Sequence, residues 1–291
     1  MSVTDVALLS PRARQRRRMR RRLLRRPLAV TGGVIVLAFV LIAIFAPVIA
    51  PFDPGASDFT AALKGPSSKH LLGTDELGRD ILSRLIWSAR VSMEAGVFST
   101  LLALLIAVPI GLAAGYYRGW IDPVIARITD VLLAFPFLIL AVGLAAILGP
   151  SLTNATIALG FAVLPLLIRV VRGETLALRE EDYVRAAIAN GAGDATILAR
   201  HILPNMASTL IVQATVTIPT QIIGEAVLSY LGVGVQPPTP SWGVMLVDGQ
   251  NFISSQPRLV ILPGIAIFLA TLSFNLFGDG LRDMLDPRTR D

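Results

Sequence analysis

The chain has 291 residues, of which 54% are apolar and only 16% charged, and its mean hydropathy of +0.67 excludes a soluble globular protein. It has no cysteine, which excludes disulfides and cysteine-based metal sites. The formal net charge is +6, but ten arginines cluster between residues 12 and 26, directly before an apolar run. That position predicts an orientation signal that contacts anionic membrane lipids, and no nucleic-acid partner is expected.

Uncharged runs long enough to cross about 30 Å of hydrocarbon predict six membrane-spanning helices. The run at 131–168 is too long for one crossing, and a turn at 149–154 divides it into two spans. The other four spans are predicted at 28–50, 95–117, 202–224 and 259–277. The first of them is too long for a removable signal peptide, so we expect it to remain as an anchor.

The distribution of positive charge predicts the orientation of the spans. With the N-terminus inside, the cytoplasmic segments carry 20 Lys and Arg residues and the outer segments carry 6. Positive residues favour the cytoplasm, so both termini are expected there. The predicted organisation is a cytoplasmic Arg-rich segment (1–27), a first transmembrane helix (28–50), an outer segment (51–90), a five-helix core (91–279) with a cytoplasmic loop (173–203), and a cytoplasmic tail (280–291).

The outer segment is predicted to end in an amphipathic helix that begins near Asp80. Apolar residues fall on one face of this helix and polar residues on the other. We expect it to lie at the outer membrane interface, with Trp87 near the headgroups. The apolar face comprises Ile81, Leu82, Leu85, Ile86 and Ala89, and the polar face comprises Ser83, Arg84, Ser88 and Arg90.

A short helix, a turn and a second helix are predicted within the cytoplasmic loop. Gly191 and Gly193 interrupt a run of good helix formers and let the backbone reverse. Asp194 is expected to cap the second helix. A break at Leu203-Pro204 is expected to end it.

Two acids near the outer ends of spans are candidates for the wall of a pathway. Glu225 follows the uncharged part of the fifth span, and Glu94 precedes the second. Ionisable residues at membrane depth can mark substrate pathways, although an acid solvated at a helix end costs little and is the alternative. Asp130, near the inner end of the third span, is expected to pair with Arg127 on one helix face.

The sequence lacks the motifs of an ATPase and of a metal site. A phosphate-binding loop needs Gly-Lys-Ser/Thr, and Lys64 and Lys69, the only lysines, stand in other contexts. His70 and His201, the only histidines, are expected on opposite sides of the membrane, so a paired-histidine site is not expected. We therefore expect a non-enzymatic chain that itself binds no metal or cofactor.

Four collinear strings carry a resemblance to a known family. They are Gly-Thr-Asp-Glu-Leu-Gly-Arg-Asp at 73–80, Leu-Ser-Tyr-Leu-Gly-Val-Gly-Val-Gln-Pro-Pro at 228–238, Phe-Asn-Leu-Phe-Gly-Asp-Gly-Leu-Arg-Asp at 274–283, and the cytoplasmic loop. Together they resemble the C-type permease subunit of bacterial dipeptide and oligopeptide ABC importers. The resemblance implies an all-α membrane protein with six transmembrane helices, the type I ABC importer permease fold and a cytoplasmic coupling helix.

The resemblance also implies roles for particular residues. The loop resembles the EAA loop, on which the ATPase subunit docks in that family, and its paired alanines leave a shallow surface for a partner. Arg185 stands where the family pattern has glutamate. The implied coupling residues are Arg185, Ala186, Ala187, Gly191, Ala192 and Asp194, and the candidate contacts for a solute-binding protein are Asp75, Glu76 and Arg79.

The implied function is a subunit of an ATP-driven peptide importer in the bacterial inner membrane. Its implied partners are a homologous B-type permease, one or two cytoplasmic ATPase subunits that bind ATP and Mg²⁺, an extracytoplasmic solute-binding protein, membrane lipids and the peptide. A permease for nickel or another solute, an ion-gradient-driven transporter and a membrane scaffold are the alternatives.

Overall fold

The computed structural model describes residues 27–285, so the Arg-rich segment before Pro27 and the end of the predicted tail lie outside the described residues. The described range forms helices and no strand. The helices are α1 (Pro27–Ile49), α2 (Ile81–Tyr117), α3 (Ile121–Leu133), α4 (Phe137–Leu148), α5 (Leu152–Arg179), α6 (Asp182–Ala189), α7 (Asp194–Tyr230), α8 (Trp242–Gln250) and α9 (Arg258–Leu285).

Five of these helices, α1, α2, α5, α7 and α9, are long and apolar enough to cross a membrane. The α3 and α4 pair is also apolar enough but is bent by 88°, so a sixth crossing exists only if the pair counts as one span. The predicted all-α membrane fold is confirmed. The third predicted span, which begins at residue 131, is not one continuous helix, because the bend falls between Leu133 and Phe137. Pro136 stands at the bend, where it lacks an amide proton and disfavours helical backbone in the residue before it.

Helix α2 is a single helix of 37 residues that includes both the predicted amphipathic helix and the second span. Its first part is not a separate helix with a solvated polar face, because the polar side chains of Ser83 and Arg84 are buried. Its position at the membrane interface stays a prediction. The outer segment and α8 cover this end. The Phe52 amide donates to Ser83 Oγ (3.0 Å), and Arg84 donates to Asp248 of α8 (3.1 Å).

Two glycines let α2 approach α5 closely. A methyl group at Gly111 would lie 2.6 Å from Val171 Cβ, and one at Gly115 would lie 2.6 Å from Thr175 Cβ. The two glycines are four residues apart and therefore lie on one helix face, an arrangement typical of closely packed membrane helices. This contact joins two long helices, and the ends of both lie beside the 180–194 segment.

Gly111→Val is expected to destabilise the protein, because the added side chain overlaps Val171 and overpacking costs about 1–3 kcal/mol. Gly143→Val in α4 is the matched control, since a Cβ at Gly143 meets nothing within 4 Å. The measurement is the thermal midpoint of the detergent-solubilised complex. Equal midpoints for the two variants would contradict this account of the α2 and α5 contact.

Candidate functional site

The turn after α6 depends on a glycine in the left-handed region. Gly191 has a φ of +77°, a backbone conformation that residues with a Cβ rarely adopt. The Ala192 amide donates to the Ala187 carbonyl (3.1 Å), which satisfies a carbonyl at the end of the helix. Gly193 then leads into α7 in an extended conformation. The predicted interruption of the helix by these glycines is confirmed.

One face of α6 packs on the bundle and the other is exposed. Val184 and Ala187 are three residues apart, share a face and are buried. Val184 belongs to an apolar cluster with residues of α2, α5 and α7. The predicted surface at both alanines is therefore wrong for Ala187. Arg185 and Ala186 lie on the exposed face, where a partner can reach them.

Asp194 connects the start of α7 to the end of α2. Its expected role as a helix cap is wrong, because Gly193 occupies the capping position and no side chain caps the helix. Instead the hydroxyl of Tyr116 donates to Asp194 Oδ1 (2.9 Å), and the Arg179 guanidinium lies 5.4 Å from the centre of the Tyr116 ring. These contacts tie three helix ends together at the loop.

Helix α7 continues from the loop into the membrane without a break. The expected break at Leu203-Pro204 is wrong, since the helix runs from Asp194 to Tyr230 with one π-helical turn at Ile197–Ile202. Pro204 follows this π-helical turn almost directly. A displacement at the loop therefore reaches a membrane-spanning helix directly.

Glu180 joins α6 to the ends of two long helices. It follows α5 and accepts hydrogen bonds from Arg118, which follows α2 (2.5 Å), and from Arg185 of α6 (2.8 Å). These two bonds, that of Arg185 first, lower the pKa of the Glu180 carboxyl. Arg185, which replaces the family glutamate, thus has a partner within the chain. All three side chains are exposed, so the pairs contribute little stability and can exchange partners.

Two further ion pairs hold α3 against α5. Arg172 donates to both carboxylate oxygens of Asp122, and its Nη2 lies 2.8 Å from Oδ2. Asp130 accepts from Arg169 (2.5 Å), so its expected pairing with Arg127 is wrong. The packing of α3 against α5 brings Arg169 to Asp130 instead.

Four charged side chains form the core of a buried network at the start of α2. Arg79 donates to Asp75 (2.6 Å) and to Asp248 (3.0 Å), and Arg84 donates to the same Asp248 oxygen (3.1 Å). Asp75, Arg79 and Arg84 are only 5%, 4% and 1% exposed. The network therefore fastens the 73–80 string to α8.

The burial of this network limits the predicted contacts for a binding protein. Asp75 and Arg79 are inaccessible, and only Glu76 keeps a partly exposed side chain, which accepts from Arg79 (2.6 Å). Burial, and then the charge of Asp75, raises the pKa of the Glu76 carboxyl. Sequence reasoning missed Asp248, which lies 164 residues from Arg84 and belongs to no shared motif.

Glu225 is fully buried, so in this structure it faces neither an open vestibule nor the solvated interface. Ser92 of α2 donates to one carboxylate oxygen (2.7 Å) and Ser229 to the other (2.8 Å). Glu94 remains accessible and pairs with Arg90 of the same helix (3.0 Å). The segment after α7 returns to this serine: the amide of Val235 donates to Ser229 Oγ (2.9 Å).

Among residues 27–285, no group of three His, Asp or Glu side chains is placed to hold a metal ion. Two groups of candidate site residues stand out in the described range. They lie at two ends of the bundle: the α6 turn at one end and the buried charge network at the other.

Two family models match the chain. The one described as "Binding-protein-dependent transport system inner membrane component" matches residues 107–291. The one described as "N-terminal TM domain of oligopeptide transport permease C" matches residues 14–66. The first match contains α6, its glycine turn and α7.

Curated relatives match nearly the whole chain. The dipeptide transport system permease protein DppC of Alkalihalophilus pseudofirmus is 46% identical over 263 residues, 90% of this chain and 86% of the relative. The glutathione transport system permease protein GsiD of Pectobacterium atrosepticum is 45% identical, covering 90% and 87%. A chain of the inward-facing MetNI methionine ABC transporter is 19% identical with a TM-score of 0.54, covering 68% of this chain and 96% of that chain, and shows the fold alone.

Proposed function

The chain belongs to the family of inner membrane components of binding-protein-dependent transport systems, and on that premise we propose that it is the C-type permease subunit of an ATP-driven importer of short peptides. It forms half of the translocation pathway beside a homologous B-type permease. Cytoplasmic ATPase subunits dock on it, and an extracytoplasmic binding protein delivers the peptide. The relatives are named for the transport of dipeptides and of glutathione, and these names favour short peptides over nickel as the substrate class.

The observation that carries the proposal is the connection between α6 and α7. An exposed helix at the membrane surface is joined through the Gly191 turn to a helix that runs unbroken to Tyr230. A subunit that docks on Arg185 and Ala186 therefore moves a spanning helix when it moves. The Glu180 pairs connect the same movement to the ends of α2 and α5.

The mechanism is alternating access driven from outside this chain. Shifting a gate from 1:99 to 99:1 requires roughly 5.5 kcal/mol of differential interaction. The sequence has no Gly-Lys-Ser/Thr motif, so ATP and Mg²⁺ bind to the partner ATPase subunits and that energy enters through the docked surface. This chain contributes no catalytic residue.

The proposed function is tested with proteoliposomes that contain the complete complex and the binding protein. We expect labelled dialanine to accumulate only with ATP and only when this chain is present. Omitting the chain while keeping the other subunits is the control. ATP-independent accumulation driven by an imposed ion gradient would instead favour a secondary transporter.

We expect the chain to lie in the membrane with both termini and the α6 loop in the cytoplasm. Ser68, in the outer segment, and Ala195, at the start of α7, are both exposed, so each is replaced by a single cysteine. A membrane-impermeant maleimide added to intact cells is expected to label Ser68→Cys alone, and lysis is expected to expose Ala195→Cys. Labelling of Ala195→Cys in intact cells would contradict the orientation.

A further inference from the structure

A cavity of about 590 Å³ opens beside α6. Its walls come from α5, α6, α7 and α9, so it adjoins the α6 surface and a membrane-spanning helix together. Cavities of this size accommodate small-molecule ligands. Polar groups on its walls include Glu174, Tyr183, Ser208, Thr209, Gln213 and Arg282.

The α7 wall of the cavity is a polar face on a spanning helix. Asn205, Thr209 and Gln213 recur every four residues and therefore share one face. The far side of the helix carries Ile211, which is apolar and 52% exposed. Polar groups that face hydrocarbon find no hydrogen-bond partner, which is unfavourable. The cavity side of α7 therefore faces water or protein, and the Ile211 side suits lipid.

Opposite charges stand on different walls of this cavity. Glu174 comes from α5 and Arg282 from the last turn of α9, and neither forms an ion pair with another residue in the range 27–285. Tyr183 of α6 adds a phenol hydroxyl, which can donate a hydrogen bond. Burial, and then Glu181 and Glu174, raise its pKa. A carboxylate and a guanidinium group on separate walls complement a ligand with one ammonium and one carboxylate group.

We propose that this cavity is the inner vestibule of the pathway and binds a short peptide in its zwitterionic form. The proposal rests on the proposed function for its direction and substrate class. Glu174 accepts hydrogen bonds from the peptide ammonium group, and Arg282 donates to the terminal carboxylate through its planar guanidinium. Gln213 replaces part of the hydration of the peptide backbone.

Cysteine labelling first tests whether the cavity holds water in the assembled importer. The chain has no cysteine of its own, so Thr209→Cys and Ile211→Cys each introduce a single thiol into it. Inverted membrane vesicles expose the cytoplasmic side to a water-soluble maleimide. We expect Thr209→Cys to be labelled and Ile211→Cys, on the far side of the same helix, to remain largely unlabelled. An unreactive Thr209→Cys would show that a partner subunit fills the cavity and would overturn the proposal.

Protection from labelling then tests binding. The probe is L-alanyl-L-alanine, and the control is its N-acetylated amide, which has the same backbone but no terminal charges. By mass action, the dipeptide at ten times its Kd is expected to slow labelling of Thr209→Cys about tenfold, whereas the amide leaves it unchanged. Equal effects of the two compounds, or none from either, would overturn the proposal.

Charge variants identify the groups that recognise the peptide. Glu174→Gln and Arg282→Gln, each combined with Thr209→Cys, are expected to lose the protection but keep the labelling rate measured without peptide. That unchanged rate shows that the cavity itself persists. Full protection in both variants would overturn the assigned roles.

Uptake of labelled dialanine by intact cells separates this proposal from the proposed function. Importer-dependent uptake without protection of Thr209→Cys leaves the function standing and refutes the vestibule. Absence of importer-dependent uptake in wild-type cells refutes the peptide function itself, whatever the labelling shows.

Discussion

Gly191→Val is expected to reduce peptide uptake at least about tenfold while the chain remains inserted and paired with its permease partner. A Cβ at Gly191 meets nothing within 4 Å, so the effect comes from the backbone and not from a clash. The left-handed conformation costs a residue with a Cβ about 1–2 kcal/mol, and branching at Cβ increases this cost. The turn then adopts another conformation, α6 leaves its place beside α7, and the ATPase subunits bind less tightly.

Gly193→Val is the matched control for this prediction. Gly193 lies two residues away and is equally open, but its φ is −72° and ψ is 154°, which valine adopts readily. Gly191→Asn is expected to restore most activity, because asparagine tolerates the left-handed region. The measurements are dialanine uptake and ATPase copurification from the same cells. Similar losses in the two valine variants, or wild-type uptake in Gly191→Val, would refute the role of the turn.

Arg84→Met is expected to cause a large loss of folded protein. Arg84 is 1% exposed and lies between Asp75 and Asp248, with nitrogen to oxygen distances of 3.5 and 3.1 Å. Methionine keeps most of the side-chain length but removes the charge. Buried Asp75 and partly buried Asp248 then have only Arg79 as a shared positive partner. Breaking a buried ion pair typically costs about 3–5 kcal/mol.

Arg90→Met provides the control on the same helix. Arg90 pairs with Glu94 one turn away and both side chains are substantially exposed, so such a pair contributes only about 0.3–0.5 kcal/mol. We expect Arg90→Met to accumulate normally and Arg84→Met to be depleted or to melt at a markedly lower temperature. Wild-type abundance and melting of Arg84→Met would show that the network is dispensable for folding.

The spans were predictable because bilayer thickness imposes a minimum length on an uncharged run. The same rule could not detect the 88° bend at Pro136, since apolar residues continue on both sides of it. It also could not detect that α2 begins at Ile81, because the polar residues that suggested an interfacial helix are covered by α8. That cover is a contact between distant parts of the chain.

The candidate sites were predictable where backbone conformation decides them. The Gly191 turn follows from the local sequence, because only glycine adopts that conformation freely. The partners of charged groups were not predictable: Ser92 lies 133 residues from Glu225, and Asp130 pairs with Arg169 across two helices. Ala187 faces the bundle because α6 is oriented to bury Val184. Tertiary packing determines that orientation, so the local sequence does not predict it.

Photo-crosslinking from Ala186 tests the central claim, that α6 is the surface on which the ATPase docks. A photoreactive amino acid at Ala186, on the exposed face of α6, is compared with one at Ser68, in the outer segment, within the complete complex in cells. We expect a crosslink to the ATPase subunit from Ala186 and none from Ser68. A complex that imports peptide but yields no ATPase crosslink from Ala186 would contradict docking on α6.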